Sequence, residues 1–337
     1  MINWGIIGCG NVTEVKSGPA FNKVRGSRLL AVMRRNAALA EDYARRHNVP
    51  KFYSDAGDLI NDPEINAIYV ATPPGNHAEY ALMSIEAGKP VYIEKPMALN
   101  YAGCRKINEA SEKYNISVFV AYYRRALPGF VMVKDLVSVG SIGKVRHVFI
   151  KCFKSPSEDE LSGKPSWRVE PEISGGGHFF DLASHQLDYL DFLLGPVQKV
   201  TSLVLNQAGL YKAEDFISAS FLFPQNIAAT GIWCFNSAPE NNCDIIEITG
   251  DLGKLSFSTF SFEPIILENV EGRKEFINER PEHVQYYLIE QVVKALSGGE
   301  PAVSTGITAA RTSKVMDEVV EGYYGGAMTQ RHNGVTV

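Results

Sequence analysis

No stretch of the chain approaches the roughly 18 consecutive apolar residues that span a bilayer, and the opening MINWGIIGCGN has no basic segment followed by an apolar one. Neither secretion nor a membrane partner is expected. A basic excess is missing too: 33 Lys+Arg stand against 38 Asp+Glu, a formal net charge of −5, which gives no field to hold a polyanion. Nucleic acid is therefore not expected as a partner. Cysteine is scarce, and Cys9, Cys104, Cys152, Cys234 and Cys243 form an odd, scattered set without CxxC spacing. That set signals neither a disulfide framework nor a zinc site and suits a reducing cytoplasm, where we expect the protein to reside. His47, His147, His178, His283 and His332 lack the partner spacing of metal ligands, so no metal is expected. What remains is a globular composition, 45% hydrophobic and 21% charged, on 337 residues. That length exceeds one ordinary core and implies roughly two domains.

Residues 2–7 form a short apolar run, broken by Gly8-Cys9-Gly10-Asn11-Val12 before a segment of helical potential. The order is strand, tight turn, helix. Gly8 permits the turn, Gly10 lets backbone approach a pyrophosphate, and the helix start at Asn11 and Val12 offers N–H groups to the anion. A plain structural turn is the competing reading, since Thr13 replaces the third glycine of the fingerprint. The position directly after a strand, one βαβ spacing before a second, favours the dinucleotide. Gly18-Pro19 falls inside the expected first helix, which should kink or restart there.

The second strand, 28–33, ends in Arg34-Arg35-Asn36, where an NAD enzyme would place an acid. A carboxylate repels a 2′-phosphate and a guanidinium holds it, so NADP(H) is favoured over NAD(H). The alternative is a pair of solvated surface arginines. Downstream, helix 37–47, strand 67–71, helix 76–87, strand 91–93, helix 101–114 and strand 117–121 alternate, which predicts a doubly wound parallel sheet. Ligands in such sheets lie beyond the carboxyl ends of the strands. That singles out the turn at 8–12, Thr72-Pro73-Pro74 with the nearby His77, and Glu94-Lys95-Pro96.

Five segments together carry a family resemblance. AGKPVYIEKPMALN is similar to the signature of the Gfo/Idh/MocA oxidoreductases, the glucose-fructose oxidoreductase and inositol dehydrogenase family. IIGCGN, ATPPGNHAEYALMSIEAGK, SIGKV and GGGHFFDLASHQLDYLDFLLG agree with it in order and spacing, from residue 2 to about 195. The resemblance implies an α/β protein: an N-terminal Rossmann domain, then an α/β domain whose open, mostly antiparallel sheet often forms the subunit interface. A homodimer or homotetramer through that sheet is expected. The pattern after Ile142-Gly143-Lys144 is compatible, with strand-like runs at 145–153, 200–206, 216–223, 227–235 and 244–249. Many alternate apolar with small or polar residues, as in ISASFLF and ATGIWCF. Helical stretches at 284–297 and 307–323 follow. We expect domains at 1–122 and 123–325, with a peripheral tail at 326–337.

Hydride transfer to a carbonyl leaves an alkoxide to be protonated, and the reverse needs a base, so the protein must supply a proton carrier. Asp181 and His185, at i and i+4, fall on one helix face behind Gly175-Gly176-Gly177. Alone they could be a helix-surface hydrogen bond. The resemblance matches Lys95, Asp181 and His185 to the family's Lys-Asp-His set: His185 the principal proton carrier, Asp181 orienting and charging it, Lys95 binding and polarising the substrate oxygen and sharing the proton relay with His185. Trp167-Arg168 resembles a pair that reaches cofactor or substrate in some members, and a stacked surface arginine is the alternative. Tyr123 and Arg124, within Tyr122-Tyr123-Arg124-Arg125, offer hydrogen bonds for polyol hydroxyls or form a structural crossover. His77 is read as fixing its loop. The implied activity is NADP(H)-dependent interconversion of hydroxyl and carbonyl on a sugar, polyol or related small metabolite. A nicotinamide-dependent glycoside hydrolase and a non-catalytic nucleotide sensor are the competing classes.

Overall fold

The computed structural model describes residues 1–331, without the side chains beyond Gly325. The chain divides into two compact units: Met1–Leu127 with Arg280–Ala310, and Pro128–Glu279 with the chain from Arg311 onward. The first unit thus takes back a segment from late in the sequence.

Its core is a six-stranded parallel sheet formed by β1 (Ile2–Ile7), β2 (Ser27–Met33), β3 (Lys51–Tyr53), β4 (Ala67–Val70), β5 (Val91–Ile93) and β6 (Val118–Val120). The order is β3-β2-β1-β4-β5-β6, the doubly wound arrangement that strand-helix alternation implies. β4 and β5 are buried along their whole length because helices cover both faces, and their sequences are accordingly uninterrupted apolar runs. Asparagine starts and stops several of these helices. Asn36 accepts from Leu39 N at 3.2 Å to open Ala37–Arg46, and Asn100 accepts from Gly103 N at 2.9 Å to open Tyr101–Tyr114. Asn115, at φ 53°, closes the latter in the left-handed region. Around Gly18-Pro19 the first helix does restart: Asn11–Val15 is followed by Ala20–Lys23.

The second unit holds an eight-stranded sheet: β7 (Val145–Phe153), β8 (Lys199–Leu205), β9 (Phe216–Phe223), β10 (Ile227–Cys234), β11 (Cys243–Gly250), β12 (Gly253–Phe257), β13 (Ile265–Asn269) and β14 (Gly272–Phe276). The order is β14-β13-β12-β11-β7-β10-β9-β8, antiparallel throughout except for β7 beside β10. Alternation places Ile217, Ala219, Phe221 and Phe223 of β9 in the core. On β10 the ring of Trp233 lies over Gly231, where an added Cβ would come within 2.1 Å of it. Helix Ser184–Leu194 packs against this face, with Phe179 just before it 5.1 Å from the Trp233 ring. The last helix, Gly306–Arg331, runs on past Gly325 into the segment expected as a peripheral tail; residues 332–337, with His332, lie outside the described residues. Among the described residues no helix is long and apolar enough to cross a membrane.

Candidate active site

In the first unit the turn after β1 meets the loop after β4 at the point where strand order reverses. Gly8, at φ +92°, would bring a Cβ to 2.7 Å from Thr72 Cγ2 and 2.9 Å from Thr72 N, so only glycine lets the two segments close. The N–H groups of Gly8 and Cys9 donate to Met33 O at 2.9 and 3.2 Å, tying the turn to the end of β2. At Gly10 an added Cβ would meet only Gly8 O at 3.9 Å, which leaves the backbone open on that side. Burial pushes the Cys9 thiol up to about 11, so it carries no thiolate at neutral pH. Asn11 and Val12 begin a helix of only 5 residues, so little macrodipole stands behind the turn. Thr13, in the third glycine's place, is buried and donates its hydroxyl to Gly10 O at 2.8 Å. The close approach falls on Gly18 instead, whose Cβ would lie 2.2 Å from Thr13 O. Arg34 and Arg35 are exposed at the end of β2, and neither guanidinium makes a hydrogen bond or ion pair among the described residues.

Two loops at the strand ends are clipped together by His77. Fully buried, it sets Nε2 2.7 Å from Thr72 O and Nδ1 2.8 Å from Pro96 O. Burial holds its imidazole below the ordinary value. Thr72 Oγ1 beside it is buried and has no hydrogen-bond partner among the described residues. Pro73 precedes the short turn Pro74–Asn76. Behind Lys95 lies a buried polar network. Glu94 Oε1 accepts from Tyr69 Oη and Gln285 Nε2, both at 2.5 Å, and Tyr92 Oη donates to Gln285 Oε1 at 2.9 Å. Burial and the Glu94 charge push the Tyr69 hydroxyl well above its ordinary value, which keeps it a donor. Glu94 Oε2 accepts the Lys95 N–H at 3.2 Å, so the backbone from which Lys95 projects is fixed. Tyr123 and Arg124 are both buried, with the guanidinium carbon 4.9 Å from the Tyr123 ring centre.

In the second unit Asp181 sits in a π turn, Phe179–Ala183, that runs into helix Ser184–Leu194 bearing His185. A wider turn of this kind often marks a functional segment. Arg168 Nε lies 3.4 Å from Asp181 Oδ2, and the same guanidinium stacks 4.6 Å from the Trp167 ring. The structure therefore brings Trp167, Arg168 and Asp181 together. His185 is buried, its ring 6.1 Å from that of Phe260. Ahead of the turn, Gly177 N donates to Glu214 Oε1 at 2.8 Å, and a Cβ at Gly177 would sit 2.7 Å from Glu214 O.

These elements match known proteins in the same order. The model of the oxidoreductase family with an NAD-binding Rossmann fold covers residues 2–122, and that of the GFO/IDH/MocA C-terminal domain covers residues 130–256. The chain is 40% identical to oxidoreductase P35 of Formosa agariphila over 321 residues, 94% of this chain and 97% of that one. The chain belongs to the Gfo/Idh/MocA oxidoreductases. It is also 25% identical over 281 residues, 82% of each chain, to 1,5-anhydro-D-fructose reductase of Ensifer adhaerens. Its fold is that of levoglucosan dehydrogenase in complex with NADH, at a TM-score of 0.87 and 22% identity over 96% of this chain and 97% of that one.

Several residues that hold this Gfo/Idh/MocA site together escape a reading of the sequence. Gln186, fully buried beside His185, accepts from Trp233 Nε1 at 2.6 Å and donates to Thr259 Oγ1 at 3.1 Å and Asp244 Oδ1 at 3.2 Å. Arg311 grips Asp191 through both carboxylate oxygens at 2.8 and 2.7 Å, and Thr312 donates to Asp188 Oδ1 at 3.2 Å. Tyr189 Oη donates to Phe130 O at 2.7 Å. The helix bearing His185 is thus pinned on several sides. The one signal was a run of polar residues, HQLDYLD, inside an otherwise apolar helix, where each buried polar group demands a partner.

Proposed function

We propose that the chain is an NADP(H)-dependent oxidoreductase interconverting a hydroxyl and a carbonyl on a sugar, polyol or related small metabolite. The observation that carries the reading is the buried polar scaffold beneath Asp181 and His185: Glu214, Gln186, Asp188 and Asp191 are all under 6% exposed and all hydrogen-bonded. Helix position is over-determined there, as orientation-dependent chemistry requires. When bound, the nicotinamide supplies or takes the hydride.

The residues of this chain do the rest. Gly8, Gly10, Asn11 and Val12 carry the pyrophosphate, while Thr72, Pro73 and His77 shape the loop beside it. Arg34 and Arg35 hold the 2′-phosphate, a role supported by two exposed guanidiniums with no other partner among the described residues. Glu94 fixes the backbone of Lys95, whose ammonium binds and polarises the substrate oxygen. In oxidation the alcohol proton passes to the His185 imidazole as hydride leaves carbon, and in reduction it returns. Asp181 orients and charges His185, and its ion pair with Arg168 holds the carboxylate in place for that role. Trp167, Tyr123 and Arg124 are assigned to the substrate side. Relatives named for 1,5-anhydro-D-fructose and for inositol support the substrate class. The exposed Leu203 and Leu205 on edge strand β8 support a homodimer or homotetramer through the second unit's sheet, which light scattering tests.

The function is tested by following absorbance at the reduced-nicotinamide band with sugars, keto-sugars, polyols and inositols against NADP+ and NADPH. Turnover with at least one supports the reading. Release of a chromogenic aglycone with no net change in the band would point instead to glycoside cleavage.

A further inference from the structure

The segment that follows β7 pairs twice with the turn bearing Asp181. Glu160 Oε1 lies 2.6 Å from His178 Nε2, and Arg168 Nε lies 3.4 Å from Asp181 Oδ2. One strap thus holds an imidazole and a carboxylate that are three residues apart in the sequence. Glu160 is well placed to act as a fixed partner. It is 4% exposed, and its other oxygen accepts the Ser157 N–H at 2.7 Å in a capping box that opens helix Glu158–Leu161. Burial opposes its ionisation, but the Ser157 N–H and His178 outweigh that and hold its carboxyl below the ordinary value.

The His178 ring is backed by Phe235 at 5.3 Å and meets the edge of Tyr211 at 5.9 Å. Its side chain nevertheless keeps 20% of its surface, and Nδ1 has no hydrogen-bond partner among the described residues. A carboxylate partner at Nε2 fixes the orientation of the ring and leaves Nδ1 aimed outward for a ligand's hydrogen bond.

We propose that His178, positioned by Glu160, is a substrate-binding residue whose Nδ1 accepts a hydrogen bond from a hydroxyl of a polyhydroxylated substrate. This deepens the polyol reading given above and rests on Asp181 and His185 marking the reacting carbon. His178 then selects for a second hydroxyl near that carbon, and Glu160 acts through it. A site built to pair with a hydroxyl discriminates strongly against the analogue that lacks it.

The test maps carbethoxylation of each histidine by diethyl pyrocarbonate, using peptide mass spectrometry on the whole protein. It is run with and without NADP+ and with myo-inositol, levoglucosan or D-glucose at high concentration. Slowing of the His178 reaction by at least one of these, with His47 and His147 unaffected, supports the proposal. If none slows it, the proposal is overturned. The same sugars are assayed for turnover in parallel, so protection without any nicotinamide redox sinks the oxidoreductase reading and leaves His178 as a hydroxyl-binding group. Where a substrate turns over, His178→Gln should raise its KM by about tenfold or more, the equivalent of a lost buried hydrogen bond. The KM for NADPH should stay put. Glu160→Gln should raise the sugar KM less and in the same direction. Equal loss with both ligands in both variants assigns a structural role only and overturns the proposal.

Discussion

Gly177 donates its backbone N–H to Glu214 Oε1 at 2.8 Å, and Tyr324 Oη closes on Oε2 at 2.5 Å. The carboxyl that fixes the chain just before Asp181 is fully buried, and burial pushes it up to about 7 from an ordinary value of 4.5. Its charge therefore changes near neutrality, beside the glycines that lead into the turn bearing Asp181.

A stability signature results. Below 4.5 both folded and unfolded chains hold this proton, above about 7 neither does, and between those values only the folded chain does. The folded state binds more protons in that window, so stability falls as pH rises through it, by on the order of 3 kcal/mol in total. Glu214→Gln keeps a hydrogen-bonding side chain of the same shape without the titration. Urea midpoints measured at about pH 4.5 and about pH 8 should show the variant gaining on wild type at the higher pH. A constant difference between the two proteins would show that Glu214 does not titrate in this range.

Gly8→Ala places a methyl 2.9 Å from Thr72 N at a φ of +92°. The turn must deform, at a cost of about 1–3 kcal/mol. Thermal unfolding should shift down, and NADPH binding by fluorescence titration should weaken more than stability alone accounts for. Unchanged affinity would mean that this turn does not face the dinucleotide.

If Arg34 holds the 2′-phosphate as proposed, Arg34→Ala removes a charge-assisted contact worth about 1.5–3 kcal/mol. The KM for NADPH should rise by roughly tenfold or more, while that for NADH stays within about twofold. Parallel steady-state assays with the two coenzymes read this directly, and an unaltered preference would leave Arg34 a solvated surface group.

Much of the fold is legible from local pattern. β5, β7, β9 and helix Tyr101–Tyr114 fall where apolar runs, alternation or capping asparagines put them. β3 has 3 residues and β14 reads GRKEF with four exposed positions, so neither carries a hydrophobic signal, and pairing with a neighbour alone makes them strands. Helix Pro128–Ser138 is hidden because it begins with Pro-Gly, residues that ordinarily end helices.

The site divides the same way. Gly8, Gly10, Lys95, Asp181 and His185 lie in short motifs whose spacing is visible. Their supports do not: Gln285 reaches Glu94 across 191 residues, Glu214 reaches Gly177 across 37, and Glu160 reaches His178 across 18. Nothing periodic marks such pairs. Each is a lone polar residue whose burial is decided by tertiary packing, and only then does a partner become obligatory.

The central claim is that His185 carries the proton that accompanies hydride transfer. Its most direct test compares wild type and His185→Ala for kcat on a substrate that turns over with NADP+, alongside NADPH affinity by fluorescence titration. The account predicts a fall in kcat of about 10²–10⁴-fold with coenzyme affinity unchanged. Near-wild-type kcat in the variant would contradict it.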